Sequence, residues 1–293
     1  MTIQKTVYPT VTASADNVGS YIEFKRPEYF DIYKIFDCGQ TFRFDPYDDG
    51  IAGVACGMYL YFVQSDDKIR IYGCEENDFY FSLAPYLGLD RDYGKINEDI
   101  FAHFPTGVIQ EAESVSRGIR ILTQPLWETL CSFIISQNNN IPRIKKIIAS
   151  LSAECGNKIE CFDGQTRYDF PSAEQLLLCG EDGLKELKTG FRAKYLIDCA
   201  EKWQAGTFDG FDTLSYIDAK ERLLTVKGIG EKVANCVLLF AGEKYNAFPI
   251  DVWIKKVIDK YYDGNLDITS LGDYAGIAQQ YLFYYERYVK ADT

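Results

Sequence analysis

Two residues of this chain place a reactive side chain near the predicted start of a helix. Lys232 follows the glycine pair Gly228 and Gly230, and Asp251 comes 19 residues later, after a Pro-Ile pair. The two glycines allow a tight turn while Ile229 between them enters the core. Free N–H groups and the dipole at the start of the next helix form an anion site suited to a nucleic-acid phosphate.

Each of these features also has a simpler explanation. An ordinary helical hairpin accounts for the two glycines alone about as well as a phosphate site does. Taken singly, Lys232 fits a solvated surface lysine, and Asp251 fits a plain helix N-cap. The chemistry therefore depends on what the rest of the chain places around them.

The surrounding periodicity predicts helices on both sides of the glycine pair. Apolar residues at helical spacing predict one helix over 217–226 and a second over 231–241, so that 215–241 form a helix–hairpin–helix. Further helices are predicted over 125–136, 142–155, 172–179, 184–188, 193–203 and 274–288. Between the first two of these lie Asn138, Asn139 and Asn140, residues typical of a helix end and a helix start.

The first 115 residues have a different pattern. Aromatic and branched residues predict strands over 21–24, 40–44, 54–63 and 69–72, with helices over 30–38 and 76–87. We therefore predict an α+β protein. Its residues 1–115 form an N-terminal antiparallel β-sheet domain with flanking helices, and its residues 116–293 form an all-α domain.

Composition excludes several classes of protein. With 47% hydrophobic residues, the 293-residue chain fits a globular protein, and no apolar run is long enough to span a membrane. Residues 1–20 have no signal-peptide pattern, and the nine scattered cysteines with a single histidine make a zinc or iron–sulfur site improbable. Of the net charge of −12, about −10 lies in residues 1–115, so a nucleic-acid footprint in the second part has to be local.

Five separated blocks of sequence resemble one enzyme family, the 8-oxoguanine DNA glycosylases of the helix–hairpin–helix Gly/Pro-Asp superfamily. They occur in the expected order and cover most of the chain. They are CGQTFR at 38–43, SFIISQNNNIPR at 132–143, GFRAKY at 190–195, GIGEKVANC at 228–236, and GIAQQYLF at 276–283.

The resemblance implies a bifunctional DNA glycosylase and AP lyase. Lys232 is the implied nucleophile, which forms a Schiff base with the sugar before β-elimination cuts the strand. Burial at the positive end of a helix favours the neutral amine that this attack requires. Asp251, in the corner at 249–251, is implied to stabilise the oxocarbenium-like charge.

The resemblance also implies a pocket for a flipped 8-oxoguanine. The carbonyl of Gly39 accepts from N7–H, Cys236 and Phe283 sandwich the base, and Gln279 contacts its Watson–Crick edge. The implied contacts to DNA and to the opposite cytosine are Asn138, Asn139, Arg143, Phe191, Arg192, Gly228, Gly230 and Trp253.

Cofactors and partners follow from the same resemblance. No cofactor is required, but the backbone carbonyls of Leu224, Val226 and Ile229 match a site where K⁺, Na⁺ or Ca²⁺ bridges to a DNA phosphate. The expected partner is double-stranded DNA with 8-oxoguanine opposite cytosine. We expect a monomer without a membrane anchor, located in the bacterial cytoplasm with the nucleoid.

Three positions depart from the pattern of the eukaryotic members. Phe191 replaces a tyrosine, Trp253 a histidine and Lys227 a proline. These differences favour a bacterial member, and they leave open how strictly the enzyme requires cytosine opposite the lesion. Alternatives are an alkylpurine DNA glycosylase without a catalytic lysine, an endonuclease III-like enzyme with four clustered cysteines, and a non-catalytic helix–hairpin–helix DNA-binding module. Lys232 argues against the first, and the absence of clustered cysteines argues against the second.

Overall fold

A six-stranded antiparallel sheet precedes a set of helices in the computed structural model, which describes residues 7–104 and 107–290. The strand order is β1-β2-β6-β5-β4-β3, and every neighbouring pair is antiparallel. The predicted α+β class is therefore confirmed. The strands are β1 Thr12–Ala15, β2 Ser20–Lys25, β3 Phe44–Tyr47, β4 Gly50–Ala55, β5 Met58–Gln64 and β6 Lys68–Tyr72.

The strand predicted over 54–63 is observed from Met58 onward as part of β5, but its start is wrong, because the chain reverses at Cys56 and Gly57. Cys56 and Gly57 have φ values of 54° and 73°, and they join β4 to β5 in a two-residue turn. The sequence pattern did not predict this turn, because the strands on both sides of it are rich in aromatic and branched residues. The strand predicted over 40–44 is also wrong, since Gln40 to Arg43 form an irregular loop before β3.

Helices cover one face of the sheet. Helix α1 (Ile32–Asp37) begins at Asp31, whose carboxylate accepts hydrogen bonds from the N–H groups of Tyr33 and Lys34. The helix predicted over 76–87 is divided into α2 (Glu76–Asp78), a π-helical turn (Phe79–Leu83) and α3 (Ala84–Tyr86). Phe36 of α1 stacks on Phe44 of β3 with ring centroids 4.0 Å apart, so this face is an aromatic core.

Ten helices and a small two-stranded sheet make up the rest of the described chain. The sheet pairs β7 (Lys158–Ile159) with β8 (Arg167–Tyr168). The helices are α4 Tyr93–His103, α5 Val108–Ser116, α6 Leu126–Ser136, α7 Ile141–Cys155, α8 Ala173–Glu186, α9 Ala193–Gln204, α10 Tyr216–Leu224, α11 Glu231–Phe240, α12 Val252–Tyr261 and α13 Ala275–Tyr284.

Two of these helices, α4 and α5, were not predicted. Helix α4 lies within residues 1–115 and α5 crosses the end of that range, yet Ile100 and Ile109 are buried in the same apolar cluster as the later helices. The two helices predicted over 172–179 and 184–188 form α8, which is kinked at Gly180 with φ 69° and ψ 169°.

Helix α11 lies at the centre of the helical part. Each of its residues from Val233 to Phe240 is buried, and α6 and α10 pack on its two sides. The first two residues of α11, Glu231 and Lys232, are thus the part of this helix that is not buried. In the described part of the chain, no helix has the length and apolar character needed to cross a membrane.

Candidate active site

A cavity of about 310 Å³ lies between the sheet domain and the helices, and it is built from distant parts of the sequence. Its walls come from the loop after α1, from α6 and the start of α7, from α11, from the start of α12, and from α13. Eight of the predicted site residues line it: Gly39, Asn139, Lys232, Cys236, Asp251, Trp253, Gln279 and Phe283.

The hairpin between α10 and α11 depends on its first glycine. Gly228 has φ 83°, and a Cβ added there would lie 2.4 Å from Cδ2 of Tyr195. Only glycine therefore fits between the turn and the tyrosine ring. Gly230 is the N-cap of α11 without a side-chain cap, and a Cβ on it would meet open space. The first N–H groups of α11 thus remain accessible to an anion.

Lys232 and Asp251 both line the cavity, each from the start of a helix. Lys232 is half-buried in the first turn of α11, and its Nζ lies 5.6 Å from the centroid of the Phe133 ring. Asp251 is the N-cap of α12, where Oδ1 accepts hydrogen bonds from the N–H groups of Trp253 (3.0 Å) and Ile254 (2.9 Å). Among the described ion pairs there is none between Lys232 and Asp251, so neither charge is engaged by the other.

The Gly39 loop faces the ring of Phe283. Gly39 has φ 80°, and a Cβ added to it would lie 3.4 Å from Ile141 and 3.5 Å from Phe283. Two glutamines that the sequence analysis missed hold this loop. Gln280 Nε2 donates to the carbonyl of Cys38 (2.6 Å), and buried Gln40 donates to the carbonyls of Ile35 (2.9 Å) and Arg120 (2.8 Å).

Gln279 lines the cavity and has an unsatisfied hydrogen-bond acceptor. Its side chain is 4% exposed, and within the described chain its Oε1 has no hydrogen-bond partner. An unpaired buried amide oxygen is costly, which indicates a ligand that donates to it. On the adjacent wall, burial raises the pKa of the Cys236 thiol, and Lys232 only partly opposes this effect. The thiol of Cys236 therefore remains protonated at pH 7 and gives the cavity an uncharged wall.

The predicted opposite-base residues lie beside the cavity. Buried Arg192 donates to the carbonyls of Gln137, Asn138 (3.1 Å) and Thr189 (3.2 Å). Its guanidinium therefore connects the loop at 137–140 to the turn that begins at Thr189. Burial, and then the charge of Arg143, lowers the pKa of Arg192, which places these two cations close together.

The other residues of this group are available to DNA. Phe191 is 48% exposed, with its ring edge-to-face against Tyr195 at 6.0 Å. Asn138 has φ 47°, and exposed Arg143 lies in the first turn of α7, whose N-cap is Asn140. Of the helix end and helix start predicted for the asparagine run, the start is present, with Asn140 as the N-cap of α7, whereas α6 already ends at Ser136 with Gln137 as its C-cap.

The hairpin carbonyls fit the predicted ion site in part. The oxygen of Val226 accepts a hydrogen bond from Ile229 N–H at 3.1 Å. In the described chain the oxygens of Leu224 and Ile229 accept no backbone hydrogen bond, which leaves them free to coordinate a cation. Over the same residues, no cluster of three or more His, Cys, Asp or Glu side chains is arranged to hold a metal ion.

The sequence analysis also missed Asp198 of α9, which anchors the hairpin from below. Its carboxylate accepts from the N–H of Lys227 (2.8 Å) and pairs with the ammonium groups of Lys202 (2.6 Å) and Lys227 (3.1 Å). Burial opposes ionisation, but these hydrogen bonds outweigh it and hold the pKa of Asp198 below its ordinary value. No motif marked this residue.

We expect Asp198→Asn to lower the free energy of unfolding at pH 7 by about 1–3 kcal/mol, because it leaves Lys202 and Lys227 without their anion. A carboxyl with a depressed pKa in the folded state stabilises the fold above its unfolded pKa, and this contribution disappears as the pH falls through the folded pKa. In urea unfolding, the difference from wild type should be constant from about pH 7 to pH 5 and shrink below about pH 4.

The control for this measurement is Asp182→Asn, which removes an exposed carboxylate paired with Lys185. It should change the free energy of unfolding by less than about 0.5 kcal/mol. Equal effects from the two substitutions would contradict the anchoring role of Asp198.

Two family models match consecutive parts of the chain. Residues 22–130 match the 8-oxoguanine DNA glycosylase N-terminal domain, and residues 131–268 match the HhH-GPD superfamily base excision DNA repair protein. The fold and both matches thus place the chain in the HhH-GPD superfamily.

Individual relatives agree with the family models. The N-glycosylase/DNA lyase of Saccharomyces cerevisiae is 39% identical over 159 residues, which are 50% of this chain and 42% of that protein. The structure of MBOgg1 in complex with a low-affinity DNA ligand is 35% identical with a TM-score of 0.88, covering 97% of this chain and 100% of that one.

The Clostridium acetobutylicum 8-oxoguanine glycosylase/lyase, in complex with double-stranded DNA containing cytosine opposite 8-oxoG, is 32% identical with a TM-score of 0.88. That match covers 98% of this chain and 99% of the clostridial one. The chain spans about half the length of the first curated relatives it matches, 42% and 52%. The chain belongs to the 8-oxoguanine DNA glycosylase family.

Proposed function

We propose that this protein excises 8-oxoguanine from double-stranded DNA and then nicks the strand at the resulting abasic site. The observation that carries the proposal is one cavity lined by Lys232, Asp251 and Gln279, whose buried Oε1 has no hydrogen-bond partner in the described chain. The cavity contains an amine, a carboxylate and an unsatisfied acceptor, which together fit a base that donates hydrogen bonds and the sugar attached to it.

The chemistry follows from the positions of Lys232 and Asp251. The neutral amine of Lys232 attacks the anomeric carbon, the N-glycosidic bond breaks, and the base leaves with the bonding electron pair and gains a proton. Positive charge develops on the sugar, and the carboxylate of Asp251 stabilises it across the cavity. Loss of a proton from nitrogen and ring opening give a Schiff base, and β-elimination then breaks the C3′–O bond.

Recognition of the lesion uses the walls of the cavity. Guanine has an acceptor at N7, whereas 8-oxoguanine has a donor there, so the carbonyl of Gly39 discriminates between them. The neutral thiol of Cys236 and the ring of Phe283 hold the two faces of the base. Gln279 Oε1 gains the donor that it lacks when the Watson–Crick edge arrives.

The opposite strand is read outside the cavity. Phe191 fills the gap beside the flipped nucleotide, and Asn138 and Arg143 contact the unpaired cytosine. Arg192 contributes to recognition of the cytosine by holding the loop that carries Asn138. Trp253 packs under Lys256, whose Nζ is 4.3 Å from its ring, and offers an indole N–H to a phosphate.

The hairpin binds the backbone of the lesion strand. A phosphate accepts from the first N–H groups of α11 next to Gly228 and Gly230. A K⁺, Na⁺ or Ca²⁺ ion held by the carbonyls of Leu224, Val226 and Ile229 would add positive charge beside that phosphate. No other cofactor enters the proposed chemistry, because the amine of Lys232 itself forms the Schiff base. We place the protein with the DNA it repairs, in the bacterial cytoplasm.

The test is excision by the wild-type protein on duplexes that carry one 8-oxoguanine opposite cytosine, with undamaged and alkylated-purine duplexes as controls. We expect excision and nicking only with 8-oxoguanine, fastest opposite cytosine, and a covalent adduct after borohydride reduction of the Schiff base. Binding without excision would instead support a non-catalytic DNA-binding module, and excision of the alkylated purine alone would support an alkylpurine glycosylase.

A further inference from the structure

Arg287 is a cation of the cavity wall to which neither the chemistry nor the lesion recognition assigns a role. It follows Gln279 and Phe283 at a spacing of four residues, and all three line the cavity. Gln279 is buried, whereas Phe283 and Arg287 are both half-buried. Arg287 lies in the π-helical turn Tyr285–Val289 that continues α13, about one turn beyond the Phe283 ring and toward the open side of the cavity.

Two aromatic rings hold the guanidinium of Arg287. Its Cζ is 5.5 Å from the centroid of Phe283 and 5.0 Å from that of Tyr288. Tyr288 is itself fixed, because its hydroxyl donates to the carbonyl of Asp37 at 2.7 Å. Cation–π contacts hold the group in place without using its N–H donors.

No acidic partner neutralises this cation. Within residues 7–104 and 107–290, the side chain of Arg287 forms no ion pair and donates no hydrogen bond, whereas the neighbouring Glu286 is engaged by Lys260 at 3.5 Å. The chain carries a net charge of −12, so an arginine left unpaired at the cavity mouth is available to an anion that approaches there. The planar fork of a guanidinium matches the oxygens of a phosphate.

We propose that Arg287 binds a backbone phosphate of the lesion strand next to the flipped nucleotide. This inference rests on the proposed function, because a nucleotide reaches the cavity only with its own phosphates at the mouth. The hairpin holds the strand from the side of α11, and Arg287 holds it from the opposite wall, beyond Phe283. The two contacts together fix the backbone on both sides of the sugar.

The experiment measures the affinity for an 8-oxoguanine:cytosine duplex at several salt concentrations, with Lys232→Gln as the parent so that no strand is cut. Adding Arg287→Ala should weaken binding about tenfold near 0.1 M salt. It should also reduce the slope of log K against log salt by about 0.9, the value for one phosphate. Arg287→Lys should retain most of the slope, because it keeps the charge. Arg287→Gln should reduce the slope as much as Arg287→Ala does. This second neutral variant keeps the test valid if the alanine variant unfolds.

Lys25→Ala is the charge-matched control, an exposed lysine of β2 that lies outside the cavity, and its slope should equal that of the parent. A slope unchanged by both Arg287→Ala and Arg287→Gln would overturn the proposal, even if affinity fell, because loss of packing on Phe283 alone does not alter the slope. If the wild type excises 8-oxoguanine while these slopes stay equal, only the role of Arg287 fails. If the wild type does not excise it, the proposed function fails.

Discussion

Replacing Lys232 with glutamine is expected to abolish the borohydride-trapped adduct and to slow excision at least about a thousandfold. The amide has a similar length but no nucleophilic amine, so neither the glycosidic attack nor the Schiff base is possible. Binding to the lesion duplex should persist, because the walls formed by Gly39, Cys236, Gln279 and Phe283 are unchanged. Gel analysis of the trapped adduct and single-turnover excision rates measure the two effects.

Lys227→Gln is the matched control for this substitution. It removes the same charge from the same hairpin, but the side chain of Lys227 is 74% exposed and pairs with Asp198 outside the cavity. The trapped adduct should form with this variant. A trapped adduct in Lys232→Gln, or its loss in Lys227→Gln, would be inconsistent with Lys232 as the nucleophile.

The second large effect is expected for Asp251→Asn, which separates the chemical role of this residue from its structural one. Asparagine caps a helix about as well as aspartate, so the hydrogen bonds to the N–H groups of Trp253 and Ile254 remain. The negative charge is lost, and excision should fall about 100- to 1000-fold with little change in the free energy of unfolding. Asp251→Ala should show the same loss of activity and also unfold about 1 kcal/mol more easily.

An N-cap outside the cavity provides the comparison for Asp251. Asp92 caps α4 by accepting from the N–H groups of Gly94 (3.1 Å) and Lys95 (3.2 Å), so Asp92→Asn removes the same charge from an equivalent position. Excision by Asp92→Asn should equal that of the wild type. If Asp251→Asn also retained full activity, Asp251 would be an N-cap and nothing more.

The sequence predicted the order of the elements better than their ends. The α6 and α11 segments were found because long apolar stretches dominate them. The β4–β5 turn was missed because Cys56 is not a residue that marks a positive φ. Strand β1 was not predicted, because Thr12 to Ala15 are all small and exposed and therefore lack the alternation of apolar and polar residues that marks a strand.

For the candidate site, the motif residues were predictable and their supports were not. Lys232, Asp251 and Gln279 belong to recognisable blocks, and the structure places all three at one cavity. Asp198 and Gln40 act through contacts with residues 29 and 80 positions away, and a side chain's partner at such a distance follows only from the fold. The roles of the individual site residues remain predictions for the experiments above.

The bond between Gln280 and the carbonyl of Cys38 joins residues 242 positions apart, and it has a consequence for how the protein is made. During synthesis, α11 with the proposed nucleophile Lys232 leaves the ribosome before α13, which carries Gln279, Phe283 and the Gln280 contact to the Gly39 loop. A nascent or prematurely terminated chain therefore has Lys232 without the α13 wall of the proposed pocket. The proposed site is complete only when α13 packs against the Gly39 loop.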